Sequence, residues 1–280
     1  MGARTRSRQA GSSRGVAPMI DAFSTRTHRS SENGEPMNEK SPSERISDVM
    51  SRCVDTAENS IDGRIVDVTA GIDVTDRGFE VEIVGWTDDE ESWSIAHLKI
   101  DGCLESSFTW EALRLVLEGM LETADTGVKI DAVCIDSGGH HTQKVYDFAR
   151  ANAGRAYEIW AVKGAAANQG NPPIWPLGRD EQLGTFRPVI IGVNAAKDVI
   201  QIRLLLEQPG PGFMHFPHNH SADYFAQLIS ERLVAKVVNG QRFRVWELAP
   251  GQSNGALDCR IYAYAALLGL RLKRSISSAA

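Results

Sequence analysis

No stretch of this chain approaches the ~20 consecutive apolar residues that a membrane-spanning helix needs. The start also lacks the apolar core of at least about seven residues that a secretory signal requires. Positive charge is not in excess. The formal net charge is −6, against the basic balance usual in a nucleic-acid binder. That balance leaves room for an enzyme whose acidic residues hold metal ions, because the ions reverse the local field. There is no Cys-x-x-Cys pair among the four cysteines, Cys53, Cys103, Cys134 and Cys259. Cys134 and Cys259 lie in apolar segments and read as buried free thiols in a reducing compartment. Residues 1–40 have few large apolar side chains and no acid before Asp21, while Arg4, Arg6, Arg8 and Arg14 crowd their start. Such a segment cannot bury enough surface to offset its ordering entropy. It reads as a basic disordered arm or a non-native start upstream of Met37, with an organelle transit peptide as the alternative.

What is present is globular. The sequence is 42% hydrophobic and 24% charged, which fits one domain of roughly 200 residues with extensions, or two small ones. Ser41, Pro42 and Glu44 spell a capping box with Pro at the first helical position. An amphipathic helix follows to about Asn59, with Ile46, Val49, Met50 and Cys53 on one face. Two strands come next, 65–74 and 79–86, joined at Asp76-Arg77-Gly78, where Gly78 is free to take positive φ. The second strand alternates Phe79, Val81 and Ile83 with Glu80 and Glu82. In the first, Asp67 near the start can face water. Asp73 sits between Ile72 and Val74, where a buried charge needs a partner or a metal. Its other reading is a strand-end or turn-capping role.

A third strand, 91–100, completes an antiparallel meander. The remaining pattern predicts a helix over 108–124, a buried strand over 129–135 ending at Asp136-Ser-Gly-Gly139, a helix over 141–153 and a strand over 156–162. A long loop, 164–187, is rich in Gly, Pro and Asn; loops of that length are usually functional or mobile. A strand over 188–193 precedes a helix from 195 to 206 with Asn194 as its cap. A helix over 222–233, a hairpin turning at Asn239-Gly240 and a last helix from 254 to about 270 close the chain. The resulting division is an N-terminal extension over 1–62, a compact domain over 63–273 and a flexible tail over 274–280.

Three strands, helix, strand, helix, strand and a late C-terminal helix is the element order of a ribonuclease H-like α/β fold, a mixed sheet with flanking helices. In that architecture the first strand, the end of the fourth and the last helix converge at one sheet edge. Those places hold Asp73, Asp136 and Asp258. Carboxylates are hard oxygen ligands suited to Mg²⁺ or Mn²⁺. Two such ions ~4 Å apart can activate water and stabilise the leaving oxygen of a phosphodiester.

Five ordered segments resemble a known family: Thr69-Ala-Gly-Ile-Asp-Val74, Ile135-Asp-Ser-Gly-Gly139 with His141-Thr142, Ala161-Val-Lys-Gly164, His215-Phe-Pro217 and Ala256-Leu-Asp-Cys-Arg-Ile-Tyr-Ala263. Together they are similar to the nuclease domain of the lambda-type phage terminase large subunit, over roughly residues 63–270. The resemblance implies a metal-dependent endonuclease that cuts concatemeric viral DNA during packaging, leaving a 3′-hydroxyl and a 5′-phosphate. It implies Asp73, Asp136 and Asp258 as ligands of two Mg²⁺ or Mn²⁺ ions. It also places Lys197 near the active site, where it could contact the scissile phosphate; a solvated lysine is its other reading. The implied partners are double-stranded DNA, a small terminase subunit, a portal and a separate ATPase domain, in a bacterial host's cytoplasm and without a membrane.

Two departures stand out. No phosphate-binding Gly-x-x-x-x-Gly-Lys-[Ser/Thr] loop of an ATPase motor is present. The family's usual Arg-Asn-Glu before Ala-Leu-Asp is here Ser253-Asn254-Gly255. The competing expectation is therefore an inactive prophage remnant, or a module that binds DNA or a packaging partner. Lesser candidates are His215, His218 and His220 as a zinc site, set against a plain loop, and His140 and His141 as water or phosphate contacts, set against a capping or surface role. Lys163 is placed to face DNA. In the long loop Asn168, Gln169, Trp175 and Arg179 are placed to touch a backbone or a partner.

Overall fold

The computed structural model describes residues 41–54, 64–119, 129–166, 172–176, 187–238 and 241–279. Helix α1 (Pro42–Met50) starts as its capping box dictates. The Ser41 hydroxyl accepts from the Glu44 N–H at 3.3 Å, and the Glu44 carboxylate accepts from the Ser41 N–H at 2.7 Å. The helix stops at Met50 rather than near Asn59, because Cys53–Val54 form a short strand, β1.

Strands β2 (Asp67–Thr75), β3 (Gly78–Trp86) and β4 (Ser92–Asp101) make the expected antiparallel meander. Gly78, at φ +133°, closes the Asp76-Arg77 turn. Helix α2 (Ser107–Leu117) leads to β5 (Ala132–Asp136), which pairs parallel to β2. Helix α3 (Thr142–Asn152), β6 (Glu158–Gly164) and β7 (Val189–Ile191) extend the parallel half.

Beyond them come α4 (Val193–Arg203), β8 (Met214–Pro217), α5 (Ala222–Leu228), a separate hairpin of β9 (Glu231–Val238) and β10 (Gln241–Leu248), and α6 (Gly255–Ser278). The large sheet runs β1-β8-β4-β3-β2-β5-β6-β7. Its central order, with the first meander strand beside the first parallel strand, is that of the ribonuclease H-like fold.

Apolar side chains of alternating parity fill both faces of this sheet. Val68, Ala70, Ile72, Val133 and Ile135 pack with Leu113, Val145 and Phe148 of α2 and α3. Ala132 and Cys134 face the other way, toward Leu257 and Ile261 of α6 and the side chains of α4 and α5. Helix α6 lies directly on β2. The Thr69 hydroxyl donates to the Ala263 carbonyl at 2.8 Å, and a Cβ at Gly71 would stand 1.9 Å from the Cys259 carbonyl oxygen. Gly71→Ala must therefore lift the helix from the sheet. We expect a loss of about 3 kcal/mol or more, seen as a melting temperature lower by roughly 6–12 °C.

Several boundaries differ from the sequence reading. Asn194 does not cap α4; it lies in the helix's first turn behind Gly192, where no side chain caps. Helix α5 ends at Leu228, because the chain is already extended from Glu231 in β9. The segment 214–217, unassigned from sequence, is a strand that pairs parallel with β4 and β1. The expected tail over 274–280 is helical to Ser278, and Arg274 pairs with Asp67. Asp67 does not face water: it is 3% exposed and also accepts from Arg271 Nε at 2.9 Å.

Candidate active site

Strand register brings the acids together. Asp73 continues the face of β2 that carries Thr69 and Gly71, the face under α6. On one side it pairs directly with Glu80 of β3. On the other, Ile72 is level with Ile135 of β5, so the next residues along, Asp73 and Asp136, stand side by side on neighbouring strands. Adjacent strands lie about 4.8 Å apart. Glu80, Asp73 and Asp136 thus form one row across three strands. Asp258, in the first turn of α6, comes down on this row from the helix above. Asp73, Asp136 and Asp258 are all half-buried and keep an opening to solvent.

The electrostatics match this crowding. Burial, then the charges of Asp136 and Glu80, push the Asp73 carboxyl up to about 7. Burial also pushes Asp258 up to about 8; Lys197 opposes that rise, while Asp73, Glu231 and Asp136 add to it. Asp136 is raised by burial too, against the Gly138 N–H at 3.0 Å, the Tyr262 side chain and Lys163. The row is short of positive charge, and its donors are hard oxygens of the kind that Mg²⁺ or Mn²⁺ prefers. Among the described residues, no three His, Cys, Asp or Glu side chains already surround a single point as a ligand cage.

A family model described as the endonuclease domain of the terminase large subunit gpA matches residues 21–276. The chain belongs to this family. It is 29% identical over 214 residues to the terminase large subunit of Escherichia phage lambda, an alignment covering 73% of this chain and 32% of that protein. The corresponding protein of Enterobacteria phage P21 is 29% identical over 218 residues, covering 74% of this chain and 33% of its own. The chain thus spans about a third of the length of these relatives. Among solved structures, the nuclease domain of the large terminase subunit gp2 of bacterial virus Sf6 aligns with a TM-score of 0.47 at 14% identity, covering 76% of this chain and 94% of that one.

In this terminase domain Lys197 is not a solvated lysine. It is buried, and its Nζ lies 2.6 Å from both carboxylate oxygens of Glu231. Asn254, just before α6, donates to the same Glu231 at 2.8 Å. The pair places a cation beside Asp258 and ties α4, β9 and the start of α6 together. Helix α6 has no cap of its own; the Gln227 side chain of α5 accepts from the Ala256 N–H at 3.1 Å. Gly255, one of the departures in the sequence, abuts the Glu80 carboxylate: a Cβ there would lie 2.4 Å from Oε2.

The histidines divide between places. His215 bonds Glu91 at 2.7 Å and stacks on Trp93, and His220 bonds Ser94 at 2.7 Å, so these two do not converge on a metal. His140 and His141 border a cavity of about 60 Å³ that Asp136 and Asp76 also line. Lys163 is exposed at the end of β6 on the Asp136 side. Trp175 does not reach outward; it packs on Trp160 and against Gly269 of α6. Asn168, Gln169 and Arg179 lie outside the described residues.

Glu80, Glu231 and Tyr262 were not picked out from sequence. Alternation in β3 marked Glu80 as opposite in face to Phe79, but it carried no sign that a helix covers that face.

Proposed function

We propose that this chain is a divalent-metal-dependent DNA endonuclease that cuts concatemeric viral DNA during packaging. The observation that carries the reading is the meeting of Asp73 and Asp136, side by side on the sheet, with Asp258 of the overlying α6; burial pushes all three carboxyls up, and repulsion from neighbouring acids adds to the rise at Asp73 and Asp258. These three would hold two Mg²⁺ or Mn²⁺ ions. When bound, the ions would supply Lewis-acid activation of water and neutralise charge on the leaving oxygen. Asp136 is oriented for this by the Gly138 N–H and Tyr262. Lys197, held by Glu231, offsets the negative charge beside Asp258. Exposed Lys163 would meet the DNA backbone on the Asp136 side, a contact to phosphate that carries no sequence preference. From the terminase large-subunit family, an ATPase domain, a small subunit and a portal are proposed as partners.

The test is nicking of supercoiled plasmid by the purified chain. We expect nicked product with Mn²⁺ or Mg²⁺ and none with EDTA. A folded chain that leaves the plasmid intact with both ions, or one that cuts equally well in EDTA, contradicts the reading.

A further inference from the structure

We propose that Glu80 is a fourth metal-holding carboxylate of this site, and that Gly255 is glycine because the Glu80 side chain occupies the space a side chain there would need. The inference rests on the metal-site reading above and adds a residue to it.

Two independent features support it. The first is register. Glu80 is the direct cross-strand partner of Asp73, on the same face and at the same level. Directly opposed antiparallel residues have Cβ atoms about 4.5–5.5 Å apart, so the two carboxylates share one neighbourhood. The second is the cover. Glu80 is 5% exposed, and its Oε2 lies 2.4 Å from where the Cβ of residue 255 would be, against the first turn of the helix that bears Asp258.

The side chain is also held in that pose. His97 Nε2 bonds Oε1 at 2.9 Å, and Lys99 of β4 stands 3.7 Å from Oε2. Oε1 is thus engaged by the His97 ring, while Oε2, among the described residues, has a half-exposed lysine at long range and stands against the helix start. A buried acid placed between Asp73 and the Asp258 turn, with one oxygen weakly committed, is suited to complete the oxygen donors of a divalent ion. Site affinity for such ions follows the number of charged ligands.

Direct Mn²⁺ binding by the whole chain, read by calorimetry or by loss of the free-ion EPR signal, tests this without reference to cutting. Circular dichroism and melting curves confirm that each variant is folded. Glu80→Gln is expected to weaken Mn²⁺ binding roughly tenfold through loss of one charged ligand. Gly255→Ala leaves Glu80 in the sequence but displaces its carboxylate, and it should give a loss of similar size. Adding Gly255→Ala to Glu80→Ala should change the affinity no further, because no carboxylate remains to be displaced.

Wild-type affinity in both Glu80→Gln and Gly255→Ala, with weakened binding in Asp73→Asn, overturns the proposal and makes Glu80 only the structural partner of His97. If Asp73→Asn also binds like the wild type, the metal site itself is misplaced and both readings fall.

Discussion

Asp73→Asn and Asp258→Asn are each expected to reduce the proposed metal-dependent nicking by roughly three orders of magnitude, and to raise the melting temperature of the metal-free chain at pH 8. The first effect follows from the proposed role of both residues as metal ligands: such a centre would supply several kcal/mol of transition-state stabilisation, with about 1.4 kcal/mol per decade of rate. The second follows from linkage. The Asp73 and Asp258 carboxyls are pushed up to about 7 and about 8 in the folded chain, from an ordinary value of 3.8. Between those values the folded state binds more protons than the unfolded state, so stability falls as pH rises. The penalty is absent near pH 4 and fully developed above about pH 8.

Asparagine has no charge to bury and removes the penalty, so the variants should gain on the wild type as pH rises from about 5 to about 8. Saturating Mn²⁺ should reverse the order, because a ligand that binds only the folded state raises its stability and the variants hold it poorly. Metal binding must also displace protons, so wild-type Mn²⁺ affinity should climb steeply across the same range. Melting curves at pH 5 and pH 8, with and without Mn²⁺, check all of this. Variants that melt below the wild type at pH 8 without metal would mean that these carboxylates are paired for stability rather than kept for a ligand.

The second large effect is structural. Arg260→Met is expected to cost about 3–5 kcal/mol, a fall in melting temperature on the order of 10 °C. Arg260 is 1% exposed, two residues beyond Asp258 on α6. Its Nε and Nη2 donate to Glu82 at 3.1 and 2.5 Å, and Glu82 also accepts from Tyr224 at 2.6 Å and Ser94 at 2.7 Å. With the guanidinium gone, a fully buried carboxylate is left without its counter-charge. Burial pushes His220, the ring on Ser94, down to about 4, so it stays neutral at pH 7 and does not replace the lost cation. Glu82→Leu combined with Arg260→Met should recover much of the loss, since replacing both buried charges by apolar groups of similar volume is often neutral. Denaturant titrations of the two single variants and the double close the cycle. A single variant as stable as the wild type would show that the pair carries no strain of desolvation.

Local chemistry was legible from the residues alone. Ser41 and Glu44 cap their helix because the capping box is closed within four residues. Asp76-Arg77-Gly78 turns the first hairpin because Gly78 can take the positive φ that the turn needs. The order of strands and helices follows from periodicity and chain order, which a sequence carries directly; the expectation that Asp73, Asp136 and Asp258 meet came from the architecture that this order resembles.

What lies over each face was settled only by tertiary packing. Period-two alternation says that Glu80 and Glu82 share a face, not that α6 covers it, so two buried acids read like solvated ones. Asp67 was misread for the same reason: Arg271 and Arg274, its partners, are some two hundred residues away in sequence. Lys197 found Glu231 across 34 residues, from a helix to a strand. A helix end or a strand register is set by neighbours along the chain. The partner of a buried charge is set by whichever element folds over it, and only the assembled sheet and helix place that element.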